Sequence, residues 1–215
     1  RSDVVLIICA SAASWMMDKV IHSKGGLYQR LTDQIYLQPF TLHECEEMSE
    51  NMHLNYDRYS IIEGYMIFGG VASYWTKLDK SKSLSQNIDS FFAGPNPVFK
   101  DEFNYLYASL FEKPEPYIKI INALGKQKKL IGMQREEIIK ATKLSDNGQL
   151  SKHLKELEDC GFIRRYHQYG KKERDITYQL IDNFTIFYFK FLANPISDSH
   201  FYTNSVDLPS RRAWS

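Results

Sequence analysis

At 215 residues, with 43% hydrophobic and 14% aromatic side chains, the chain has ample material for a packed core, which excludes a disordered segment. Three cysteines, Cys9, Cys45 and Cys160, with no C-x-x-C pair, exclude a disulfide scaffold and a structural zinc site and fit a reducing, cytoplasmic compartment. The net charge of +1 conceals an uneven division: residues 1–116 carry 10 basic and 15 acidic side chains, residues 117–181 carry 14 basic and 8 acidic, and the tail balances.

Residues 4–9 (VVLIIC) are a continuous apolar run of the length expected for a strand covered on both faces. The run is too short to span a bilayer, which takes roughly 18 apolar residues. It also lacks the flanks of a signal peptide, so no membrane partner is expected. A small-residue turn (10–14) and a short helix (15–21) follow. After the loop 22–26, residues 34–38 (QIYLQ) alternate as a second strand and stop at Pro39. Strand–helix–strand is the unit of a parallel sheet, but two strands do not make a sheet, so residues 1–40 are expected to close a larger α/β core. The start at Arg1 instead of Met fits a fragment or processed product.

Residues 41–112 read as helical throughout. Thr41 with Glu44 three residues on is a capping box. Amphipathic stretches follow at 56–68, 71–78, 84–92 and 98–111, broken at Gly69-Gly70, at 79–83 and at 94–97, and a four- or five-helix bundle is expected. The segment 113–116 (KPEP) is expected as a stiff linker. Beyond it, 117–126 opens a further module.

Residues 135–141 form a short helix, 144–148 a turn, and the next helix places Leu150, Leu154 and Leu157 on one face. Gly161 ends it, as a residue free to take positive φ should. The period then changes. Ile163, Arg165 and His167 alternate, Gly170-Lys171-Lys172 makes a tight tip, and Ile176, Tyr178 and Leu180 alternate on the way back. A helix-turn-helix followed by a basic β-hairpin is a winged helix, placed at 113–182. A basic module on an acidic body suits contact with duplex DNA. Gln149, Ser151, Lys152, Lys155 and Glu156 are left to face outward, the first three best placed for the groove, with Lys171, Lys172 and Arg174 of the wing on phosphate; Glu156, Glu158 and Asp159 add negative charge to the same helix. Residues 183–215 are expected as an aromatic helix capped by Asn183, then a linker. The Phe184, Phe187, Tyr188, Phe191 stripe would dock on the winged helix or on a further domain. The overall expectation is a mainly α chain with some β, an α+β fold.

The order of parts resembles the back half of a prokaryotic, archaeal-type AAA+ ATPase related to STAND NTPases. The resemblance rests on the run ending in Cys9-Ala10-Ser11-Ala12-Ala13-Ser14, on Gly25-Gly26-Leu27-Tyr28-Gln29-Arg30, on Gln38-Pro39-Phe40 and on Tyr65-Met66-Ile67-Phe68-Gly69-Gly70-Val71. It implies the end of an ATPase core (1–40), a helical lid (41–112), the winged helix, and a segment leading to a nuclease-like domain. It further implies that Ser11, or Ser14, orients the attacking water, although small residues there would also let strand and helix pack closely. Arg30 would act as an arginine finger or, alternatively, cap a helix C-terminus. Gly69 and Gly70 would lie against adenine, or serve only as a helix break; Ala72 stands where the family usually has proline.

No G-x-x-x-x-G-K-[ST] occurs and no buried strand ends in Asp-Glu, so phosphate and magnesium ligands would lie upstream. ATP and magnesium therefore belong to an intact parent, and this chain alone is expected to be inactive and to bind neither tightly. No metal ligand set is expected among the six scattered histidines. The leading function is nucleotide-dependent switching read out through a winged helix to DNA or an effector, in a possible homo-oligomer. Two alternatives stand beside it: a free-standing winged-helix transcription regulator, and a protein–protein adaptor whose winged helix touches no DNA.

Overall fold

Capping chemistry and apolar periodicity place the helices close to where the sequence predicts them. The computed structural model describes residues 5, 7, 9, 32–33, 35–127, 131–167 and 176–205. They are mainly helical with one small three-stranded antiparallel sheet, the α+β class expected. The chain divides into two compact units, one mostly helical and one holding the sheet.

The helical unit is drawn from 37–105, 125–127 and 180–205. Its first helix, α1 (Leu42–Asn51), starts at Thr41, whose hydroxyl accepts from the Glu44 amide while the Glu44 carboxylate accepts from the Thr41 amide. Helix α2 (Arg58–Phe68) is capped by Asp57, and the single turn α3 (Ala72–Trp75) follows Gly69-Gly70. Ser83 and Gln86 form a second capping box on α4 (Leu84–Phe92). The core is aromatic: Phe68, Tyr74, Trp75, Phe91, Phe92 and Phe99 pack edge-on or tilted, with ring centroids 5.0–6.5 Å apart. Buried polar groups are tied down. Fully buried Asn87 donates to Tyr56 and to the Asp79 and Ser83 carbonyls and accepts from the Asp79 amide, fixing the turn ahead of α4.

The sheet-bearing unit is drawn from 106–124, 131–167 and 176–179. Its elements are α6 (Glu115–Gly125), β1 (Met133–Gln134), α7 (Arg135–Thr142), α8 (Gly148–Asp159), β2 (Ile163–His167) and β3 (Ile176–Leu180). The sheet runs β1-β3-β2, with Met133 opposite Tyr178 and Gln134 opposite Thr177. Gly132, at φ +87°, lets the chain into that pairing; a Cβ there would lie 2.6 Å from Thr177 Cγ2 and 2.7 Å from the Tyr178 carbonyl oxygen. Leu150, Leu154 and Leu157 are buried on one face of α8, and Gly161 takes φ +78° just past its end.

Several expectations change. Val5 and Ile7, from the run read as a buried strand, are 85% and 84% exposed, and neither they nor 35–38 lie in regular structure. A strand of that kind needs neighbouring strands, and none pairs with it among the described residues. The proline-rich 113–116 is a helix start and not a linker: the Pro114 carbonyl accepts from the Ile118 amide, and Pro116 sits in the first turn, where a missing N–H costs nothing. One of the several boundaries between the units falls inside α5 (Glu102–Leu110).

The aromatic helix is α9 (Asn183–Phe187), continued by a π-helical turn over Tyr188–Leu192, and it belongs to the helical unit. Phe184 meets Tyr74 and Phe92, Phe187 meets Phe92 and Tyr202, and Tyr188 stacks on Phe103 at 4.0 Å, so this stripe is core. Its cap is Asp182, which accepts from the Thr185 amide (2.8 Å); Asn183 instead donates to the Tyr65 carbonyl (2.7 Å). The segment read as linker contains α10 (Phe201–Ser205), with Tyr202 fully buried.

Candidate nucleic-acid interface

The turn between α7 and α8 is built from short polar side chains that answer backbone donors. Asn147 caps α8, its side-chain oxygen accepting from the Gln149 (3.0 Å) and Leu150 (3.2 Å) amides. Lys143 ends α7 in the left-handed conformation, φ 57°. Thr142, buried, donates to the Ile138 carbonyl and accepts from the Leu144 amide, closing the C-terminal end of the same helix.

Arg135 spans this turn. Its Nε donates to Asp146 Oδ1 (2.8 Å), its Nη1 to Ser151 Oγ (3.1 Å) and its Nη2 to the Asn147 carbonyl (3.2 Å), with a second Asp146 approach at 2.8 Å. One guanidinium thus joins the start of α7, the turn and the first turn of α8.

With its leucine face buried, α8 exposes Gln149, Ser151, Lys152 and Lys155, all four of the helix residues expected to face DNA. They are not equivalent. Ser151 is held by Arg135, and Lys152 lies 3.8 Å from Glu156 on the next turn. The side chains of Gln149 and Lys155 have no polar partner among the described residues. Glu156 also accepts a hydrogen bond from Tyr117 of α6, whose ring stacks on Phe111 at 3.8 Å. Burial, then that carboxylate, pushes the Tyr117 phenol up. His153 lies against the same ring, and burial pushes its pKa down. On β2, Arg164, Arg165, Tyr166 and His167 are exposed, and Arg165 pairs with Glu158 at 2.6 Å. The wing lysines Lys171 and Lys172, with Arg174, lie outside the described residues.

Sequence reasoning missed Arg135 and the exposed Arg164 and Arg165. The Arg135 ion pair spans 11 positions and follows no helical spacing, so only the geometry of the turn reveals it. Arg164 and Arg165 were visible as the basic start of the wing.

The residues attached to nucleotide chemistry fare differently. Ser11, its substitute Ser14 and Arg30 lie outside the described residues. Gly69 and Gly70 are described, at the end of α2. A Cβ on Gly70 would lie 1.8 Å from the Phe40 carbonyl oxygen, and the Gly70 carbonyl accepts from the Phe40 amide at 2.8 Å. The Gly69 carbonyl accepts from Trp75 Nε1 at 2.9 Å, and its φ of +58° with ψ of −155° is a glycine conformation. The pair ends α2, and the Phe40 backbone packs against Gly70. No group of three or more His, Cys, Asp and Glu side chains is placed to hold a metal among the described residues. None of their helices is long and apolar enough to cross a membrane.

No family model matches the chain, and no solved structure does. An uncharacterised protein of Methanocaldococcus jannaschii is 27% identical over 197 residues, covering 87% of this chain and 40% of that protein. The chain thus spans about two fifths of that relative's length.

Proposed function

We propose that the sheet-bearing unit is a winged helix that docks on duplex DNA, with α8 entering the major groove by its N-terminal turn and the β2–β3 hairpin lying along the backbone. The carrying observation is the element order helix–strand–helix–helix–strand–strand with a β1-β3-β2 sheet, in which α8 buries Leu150, Leu154 and Leu157 and exposes Gln149, Ser151, Lys152 and Lys155. Gln149 offers an amide of the kind that reads adenine, and Lys155 a cation for phosphate. Lys171, Lys172 and Arg174, the cations expected on phosphate, stand between β2 and β3 in the sequence. Glu156, Glu158 and Asp159 crowd the other end of α8, so only its first turns suit a polyanion.

In the same proposal the winged helix is the output of an AAA+/STAND-like ATPase acting in the cytoplasm, with ATP and magnesium held by parts of a longer parent. What supports this is the residue order around Ser11, Arg30 and Tyr65-Met66-Ile67-Phe68-Gly69-Gly70.

A protein–protein adaptor is the second reading, and one observation favours it: Lys152 and Arg165 are each paired to a carboxylate of α8. Fluorescence anisotropy with a duplex of about 20 base pairs separates the two. DNA contact predicts salt-sensitive binding that weakens on Lys155→Glu; an adaptor gives no binding above that of an acidic control protein of equal size.

A further inference from the structure

The first turn of α8 has an electrostatic fault that one side chain corrects. Asp146 lies in the turn immediately ahead of the helix, 64% exposed, where a phosphate approaching Gln149 and Ser151 would meet its negative charge. Arg135 takes up that charge with two nitrogens at 2.8 Å and is itself only 26% exposed. Its third nitrogen donates to Ser151 Oγ, so the Ser151 hydroxyl is used as an acceptor and its own proton is left to point elsewhere. A hydroxyl that accepts from a cation is a stronger donor through the same oxygen.

We infer that Arg135 is the positioning residue of this surface: it neutralises Asp146 and backs Ser151, so that a phosphate oxygen arriving at the α7–α8 turn meets a polarised hydroxyl proton instead of a carboxylate. Arg135 itself need not touch DNA. The Asn147 cap fixes the backbone of the same turn, and Arg135 donates to the Asn147 carbonyl, so cap and clamp hold one geometry. This rests on the DNA reading above.

A set of charge variants in the full chain, read by anisotropy on one duplex at fixed salt and by thermal melting, tests it. Arg135→Ala is expected to weaken binding about tenfold, since it exposes Asp146 and frees Ser151. Asp146→Asn alone should match or slightly exceed the original affinity, and Arg135→Ala with Asp146→Asn should recover most of the loss. Ser151→Ala should weaken binding about threefold in the original background and have no effect once Arg135 is gone. A clamp needed only for folding would give a loss that tracks the melting temperature and is not relieved by Asp146→Asn, and that result overturns the inference. Should Arg135→Ala fail to fold, Arg135→Lys replaces it, with weakened binding that Asp146→Asn relieves; unchanged binding by that variant overturns the inference too. Binding by the original chain with no response to Ser151→Ala sinks the Ser151 role while the DNA reading stands. No binding by the original chain sinks both.

Discussion

The two units differ in where they keep charged side chains. The helical unit has surface pairs such as Arg58 with Glu46, and it also takes two carboxylates inside. Asp89, 4% exposed, accepts from the Tyr202 amide (2.8 Å) and the Thr203 hydroxyl (2.5 Å), and Tyr202 donates its hydroxyl to Glu63 at 2.6 Å. In the sheet-bearing unit the charged side chains stay at the surface. They meet across turns, as Arg135 does with Asp146 and Arg165 with Glu158. Buried networks fix a structure and are expensive to disturb. Surface pairs contribute roughly 0–1 kcal/mol and leave their members available to a partner. Buried carboxylates with their hydrogen-bond partners thus belong to the helical unit, while the charged groups of the other unit remain solvent-accessible.

The largest expected effect lies in the helical core. Trp75 is fully buried and its Nε1 is satisfied by the Gly69 carbonyl, so Trp75→Ala should lower stability by about 3–5 kcal/mol in urea unfolding. A loss under about 1 kcal/mol would mean that the aromatic core repacks.

Next comes Gly70→Ala. The added methyl meets the Phe40 backbone and not a flexible side chain, so about 3 kcal/mol of stability should go, with or without nucleotide present. A variant that folded normally but lost nucleotide binding would support the cofactor role of Gly70.

In the sheet-bearing unit, Lys155→Gln should shift stability by no more than about 0.5 kcal/mol, since Lys155 is exposed and has no polar partner among the described residues. A larger loss would erase the contrast between the units.

The smallest effect concerns Asp182, the cap of α9, whose carboxyl is pushed above its usual range by burial, against the hydrogen bonds from Thr185. With the folded value raised, its contribution is fully present below the unfolded value of 3.8 and is lost as pH rises through the folded value. Asp182→Asn keeps an acceptor for the Thr185 amide, so it should melt at or slightly above the original temperature at pH 7, with a flatter pH profile above pH 4. A lower melting temperature at pH 7 would show that the charge itself is needed.

Much of this was legible in the residues. Thr41 with Glu44, Leu150-Leu154-Leu157 and Gly161 each carry a local physical reason, and each element stands where that reason puts it. What escaped has no local signature. Strand β1 is two residues long and exists through partners more than 40 positions away. Helix α10 is five residues held by buried Asp89 and Glu63. The aromatic stripe of α9 and the turn after it announced burial but not against what, and Asp182 took the cap expected of Asn183 because Asn183 was drawn to Tyr65. At the candidate interface, the exposed face of α8 and its acidic end were readable from the sequence; Arg135, which holds Ser151 from the start of α7, was not.

The central claim is that α8 offers its first turns to a polyanion, and the salt dependence of duplex binding tests it most directly. Dissociation constants would be measured from about 50 to 200 mM salt for the original chain and for Lys152→Gln with Lys155→Gln. The expected result is a steep slope of log affinity against log salt that falls by about 1–2 in the double variant, each phosphate contact contributing about 0.9, while the melting temperature is unchanged. A slope that is flat, or that is identical in the two proteins, would contradict it.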